Sequence, residues 1–258
     1  MRHFQVPALG ALHDPRLDDI GAPVEVRRHP GARRLTLRVS RTRRTVIVTL
    51  PSGCDLGEAG KFLHRNIDWV RQHLGNLPQQ VPLADGILMP LRGEPHRVRF
   101  LGCSPGRVPV AVTKADEEGV SELVVCGRPE HAPRRLKDWL FAEARRDLND
   151  RVAWHAQNLG LKAKRITVRD QTSRWGSCST TGALSFSWRL ILAPPGILDY
   201  VAAHEVAHLA EMNHGPRFWQ LVEKTMPRKD EARGWLRVYG IDLHRFSLDA
   251  GSCSGADI

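Results

Sequence analysis

The sequence predicts an α+β fold, with a β-rich amino-terminal domain and a helical carboxy-terminal domain. Three observations carry this expectation. Residues 24–50 alternate apolar and polar in the period of strands, residues 134–159 carry a long helical stripe, and residues 163–192 hold two β-rich stretches joined by a polar, glycine-containing connection.

In residues 24–50, Leu35, Leu37 and Val39, then Val46, Val48 and Leu50, fall on like faces around a turn at 40–43, which predicts a β-hairpin. Residues 55–74 read as one amphipathic helix, with Phe62, Ile67, Trp69 and Val70 among charged residues and Gly75 at its end. Short strands at 96–101, 108–112 and 122–126 complete an expected amino-terminal domain of residues 1–128. Gly127, Pro129 and Pro133 then punctuate the chain, so the second domain is expected over 132–245. Its first helix presents Leu136, Leu140, Ala144, Leu148 and Val152 as one apolar stripe. Neighbouring strands are expected at 163–170 and 183–192, and helices at 216–226 and 230–239. Residues 246–258, rich in Gly, Ser and Ala, read as a loose tail.

Composition narrows the setting. A hydrophobic content of 41% over 258 residues provides for a real core without staples. The five cysteines, at 54, 103, 126, 178 and 253, are odd in number and lack any C-x-x-C pair, which argues against a disulfide framework and for a reducing, cytoplasmic environment. No apolar run is long enough for a membrane span, and residues 1–14 lack the basic start and apolar stretch of a signal peptide.

The chemistry concentrates in residues 204–214, His-Glu-Val-Ala-His-Leu-Ala-Glu-Met-Asn-His. One helical turn separates His204 from His208, so both imidazoles project from one face and can hold one ion, while Glu205 beside them can take a proton from a water on that ion. Ile197, Val201, His204, His208 and Met212 share a stripe flanked by Leu198 and Leu209, so the pair faces inward. On an unbroken helix, at about 100° per residue, His214 would point elsewhere, so the helix must end first. Asn213 as a left-handed cap, followed by Gly215 and Pro216, provides the turn. Three histidines on one zinc ion per chain would leave one tetrahedral position for water, as catalysis requires.

Three stretches, Ser173 to Ser179 (S-R-W-G-S-C-S), Leu184 to Pro195, and His204 to His214 followed by G-P-R-F-W, resemble the YgjP-like zinc metallopeptidases, relatives of the SprT-like and minimal gluzincin peptidases. The resemblance implies a zincin-like carboxy-terminal domain in which His204, His208 and His214 bind zinc and Glu205 is the general base. Metzincins share the histidine offset but need glycine where this chain has Glu211, and are set aside.

Around this centre, a strand near the metal offers backbone groups to an extended peptide, and Trp175 and Gly176 are candidates for the cleft. Arg174, Arg189 and Tyr200 are candidates for stabilising an oxyanion. Cys178 reads as a small half-buried residue more readily than as a ligand. The expected function is zinc-dependent endopeptidase. The net charge of +10, with clusters such as residues 41–44, raises an alternative: a nucleic-acid-associated protein, either a protease of DNA-linked proteins or a binder with structural zinc. A solvated basic surface with polypeptide partners accounts for the same charge and is preferred.

Overall fold

The alternating residues of 24–50 pair as expected in the computed structural model, which describes residues 20–102, 110–113 and 119–247. The chain divides into two compact units, Met1–Gln79 and Gln80–Ile258. In the first, β2 (Thr36–Ser40) and β3 (Thr45–Leu50) form the antiparallel hairpin, and β1 (Val24–Arg28) adds in parallel to the other edge of β3. Val46, Val48 and Leu50 meet Leu63 and Val70 from two helices in one core.

Those helices are α1 (Leu56–Arg65) and α2 (Ile67–Gly75), where the sequence predicted one. Asp55 and Glu58 close a capping box at the start of α1. The break falls at Asn66, whose side-chain amide donates to the Phe62 carbonyl at 2.7 Å and whose φ of −112° departs from the helix. A short polar side chain that bonds nearby backbone competes with helix propagation, and here it wins.

The second unit contains two larger sheets, besides a two-stranded one, with helices packed on them. One runs β5 (Leu88–Leu91), β6 (Glu94–Leu101), β8 (Ser121–Cys126), β7 (Val110–Thr113), with β6 and β8 parallel and the other pairs antiparallel. The expected strand at 108–112 is thus described only from Val110. The other sheet runs β10 (Gly176–Cys178), β11 (Ala183–Ser187), β9 (Arg165–Arg169), with β9 and β11 parallel neighbours. Helix α3 (Ala132–Leu159) buries Leu136, Leu140, Ala144, Leu148 and Val152 almost completely, the leucines and Val152 each contributing roughly 2 kcal/mol relative to exposure.

The division at Gln79 differs from the boundary expected at 127–133. Met89, Leu91, Val98, Leu123 and Val125 share one core with Leu136 and Leu140, so the Gly and Pro residues of 127–133 mark a turn inside a unit. The β5–β6 turn also reaches the segment ahead of the helix that carries His204. Arg92 and Gly93 donate backbone N–H groups to the Ile191 and Leu192 carbonyls, and a side chain at Gly93, φ +85°, would strike Pro194. Arg92 fastens the same turn to α3 through Glu143 and Asp147.

The strand expected at 183–192 stops at Ser187. Its hydroxyl accepts from the Arg189 N–H and opens a 3-10 turn, Trp188–Leu192, that is buried throughout. Helices α4 (Pro195–Ala207), α5 (Pro216–Thr225) and α6 (Lys229–Leu243) follow. Residues 246 and 247, expected to open a loose tail, instead form β12 (Phe246–Ser247), which pairs in parallel with β4 (Val81–Pro82), and Phe246 is buried. Residues 248–258 lie outside the described residues, as do residues 1–14. Among the described residues, no helix is long and apolar enough to cross a membrane.

One buried base gives the second unit a pH dependence. His244 stacks against Trp175 with ring centroids 4.9 Å apart, and its Nδ1 has no hydrogen-bond partner. Burial first, then the Arg189 charge, lowers its pKa to about 4. An unfolded histidine titrates near 6.5, so the stabilisation from keeping His244 neutral is complete above that pH and is lost as pH falls toward 4. We expect His244 to account for up to about 3 kcal/mol of the unfolding free energy lost across that window, alongside His204 and His208, whose pKa values are lowered too, and His244→Phe to reduce the slope in urea titrations.

Candidate active site

Helix α4 begins with Pro195 at its first turn and buries Ala202, Ala203, Val206 and Ala207, small residues that let neighbouring elements approach. It ends at Ala207, with His208 as its cap at φ −65° and ψ −17°. Beyond it the chain tightens, Leu209 and Ala210 donating to the carbonyls three residues back. The expected helix end therefore comes a turn early. Met212 leaves the stripe and is 47% exposed, and Asn213 is not left-handed, since only Arg44 and Arg92 have positive φ among the described non-glycine residues. The early ending still does what the spacing required: the turn returns His214 to the histidines of α4.

The coordinating nitrogens of His204, His208 and His214 all lie within 4.8 Å of one another. His214 Nε2 is 3.0 Å from His204 Nε2. The His208 Nδ1–H donates to the Glu211 carbonyl at 3.0 Å, which leaves Nε2 with its lone pair toward the cluster. Burial, then the neighbouring histidines, lowers the His204 pKa to about 3, and burial lowers that of His208 as well, so both rings are neutral donors. Converging neutral imidazoles at this separation fit a divalent transition-metal ion.

Phe218, on the first turns of α5 and fully buried, lies 4.8, 4.5 and 4.7 Å between ring centroids from His204, His208 and His214. It is the apolar seat of the triad. Its role was not read from the sequence, although its position four residues after His214, just past Pro216, is where a helix start would bring it back.

Glu205 is 5% exposed, and its Oε2 has no hydrogen-bond partner. Burial raises its pKa to about 8, against the opposing charge of Arg174. The carboxylate lies on Gly176 of β10 so closely that a Cβ there would come within 2.6 Å of Glu205 Cγ and Oε1. Glycine at 176 is what lets the edge strand and this side chain share the space.

Three converging histidines beside a desolvated carboxylate, with His204 and Glu205 on α4, His208 at its cap and His214 beyond it, fit metal-assisted hydrolysis, and the family match agrees with this. The model of the YgjP-like metallopeptidase domain matches residues 33–239. The chain belongs to the YgjP-like metallopeptidase family. A solved structure, the metallopeptidase zymogen abylysin of Pyrococcus abyssi, is 22% identical and covers 35% of this chain and 94% of its own, with a TM-score of 0.33. No curated protein matched.

The remaining predicted residues of this YgjP-like chain separate by position. Trp175 is a buttress: its carbonyl accepts from the Ser187 N–H at 2.8 Å, and its ring lies on Gly240 and His244. Arg189 is engaged elsewhere, its guanidinium buried against Asp170 and the Phe246 carbonyl. Arg174 is exposed and its charge reaches Glu205. Tyr200 is buried with its ring 5.9 Å from His204, and burial raises its hydroxyl pKa. Cys178 on β10 is kept protonated by burial and by the Glu205 charge, and does not join the histidine cluster. A residue that sequence reasoning missed is Arg233 of α6, stacked 5.3 Å from the Trp219 ring centroid, whose charge acts on both His204 and Tyr200.

Proposed function

We propose that this metallopeptidase is a zinc-dependent endopeptidase acting on extended segments of polypeptide in the cytoplasm. The observation that carries the reading is the convergence of three histidines next to Glu205, which is buried, has no hydrogen-bond partner for Oε2 and is seated on a glycine of an edge strand. His204, His208 and His214 would hold the ion. Zinc bound there supplies Lewis acidity, acidifying a water and polarising the scissile carbonyl.

Glu205, buried beside the triad with Oε2 free of any hydrogen-bond partner, would take the proton of the attacking water and deliver it to the leaving amine. β10 is the terminal strand of its sheet, so its outer edge offers backbone donors and acceptors to a substrate strand beside Glu205. Backbone pairing aligns a peptide bond with little demand on its side chains, which supports internal cleavage. Tyr200, whose ring lies 5.9 Å from His204, and Arg233, whose charge acts on His204, are the candidates for favouring an oxyanion.

His204→Ala is expected to weaken metal binding at least about 100-fold and to abolish hydrolysis, read by metal analysis after dialysis and by peptide cleavage. Full zinc occupancy in that variant would remove the triad from the reading.

A further inference from the structure

The sheet that carries Gly176 has a second face, away from Glu205. Strand alternation places Gly176 and Cys178 toward the site and Ser177 on the opposite side. In register with Ser177 stand Ser185 of β11 and Thr167 of β9, a row of hydroxyls across three strands. Arg165 and Arg169, two residues either side of Thr167, share that face, while Ile166 and Val168 turn inward. With Arg174 from the loop they line a groove of 790 Å³.

None of the three arginines has an ion-pair partner among the described residues. The groove's only lining carboxylate, Asp170, is taken by Arg189. Gln171 donates to the Ser185 hydroxyl at 2.7 Å and so leaves that oxygen's proton free to face the groove. The Thr167 hydroxyl donates to the Leu184 carbonyl, so three guanidinium groups and the Ser177 and Ser185 hydroxyls are the donors of this concavity, a set that fits carboxylates. No aromatic ring lines it, so it lacks the stacking platforms of single-strand nucleic-acid sites, and its three cations fall short of the roughly six to ten phosphate contacts of a typical duplex binder.

We propose that this groove binds acidic side chains of the polypeptide substrate, which rests on the peptidase reading above. A substrate strand paired to the free edge of β10 alternates its side chains: one set faces Glu205 and the other faces the groove. The groove therefore selects Asp or Glu at every second residue flanking the cut. The face that does chemistry and the face that selects are the two sides of one strand.

The test uses zinc-loaded Glu205→Gln protein and fluorescein-labelled peptides with Glu, Gln or Lys at alternate positions, with binding read by anisotropy at low and high salt. The Glu peptide is expected to bind about tenfold tighter than the Gln peptide at low salt, with the difference shrinking at high salt. The double charge reversal R165E/R169E, at two exposed positions, is expected to shift the preference to the Lys peptide with an unchanged melting temperature. Equal binding of the Glu and Gln peptides, or a preference unaltered in R165E/R169E, overturns the proposal. So does a DNA strand of equal length that binds more tightly and is lost in the same variant. Cleavage by the wild type without charge preference would leave the peptidase reading and remove this one. Acidic-peptide binding lost in R165E/R169E, with no peptide ever cut, would instead leave the groove and remove the peptidase reading.

Discussion

Glu205→Gln keeps its metal, keeps its fold, and loses turnover by about 10³-fold with little change in KM. Glutamine has the shape of glutamate but cannot accept the water proton. The substitution is mild for the fold because burial raises the Glu205 pKa to about 8, so the metal-free protein already holds a largely neutral group there at pH 7. Oε2 has no hydrogen-bond partner for the amide to disturb. Metal stoichiometry, melting temperature and steady-state kinetics on one preparation separate these effects. Wild-type turnover in the zinc-loaded variant would remove Glu205 from the mechanism.

Gly176→Ala reaches the same carboxylate from the other side. The new Cβ would come within 2.6 Å of Glu205 Cγ and Oε1 and 2.8 Å of Cδ. Every obstructing atom belongs to a side chain, so Glu205 turns aside while β10 keeps its pairing with β11. A displacement of about 1 Å costs on the order of 100-fold in rate when the displaced group moves the proton. The expected variant is folded, metal-replete and about 100-fold slower. An unimpaired Gly176→Ala enzyme would mean that the seat on β10 does not position the base.

The sequence made the histidine cluster legible because two of its members sit at a fixed helical spacing, and geometry leaves little choice about where His204 and His208 point. His214 was legible only as a requirement that the helix end, and the ending came at His208 through a tightened turn rather than at a left-handed Asn213. The stripe of α3 was readable because five apolar residues repeat along one face. The break at Asn66 was not, since it depends on one side-chain hydrogen bond that helical periodicity does not register.

Long-range partners were the least visible. Arg189 reads as a free cation until Asp170 and the Phe246 carbonyl are brought to it. The glycines and prolines of 127–133 signal a turn equally well at a boundary or inside a unit, and only the shared core of Leu123, Val125 and Leu136 decides between them. Gly176 was singled out as a candidate for the cleft, yet the side chain that lies against it, Glu205, is known only from the fold.

Peptidase chemistry at the triad is tested most directly by incubating zinc-loaded wild type and Glu205→Gln, side by side, with a library of unfolded peptides and mapping new termini by mass spectrometry. The account predicts internal cuts made by wild type and absent from Glu205→Gln. Identical cuts by both proteins, or no cut by the metal-replete wild type, would contradict it.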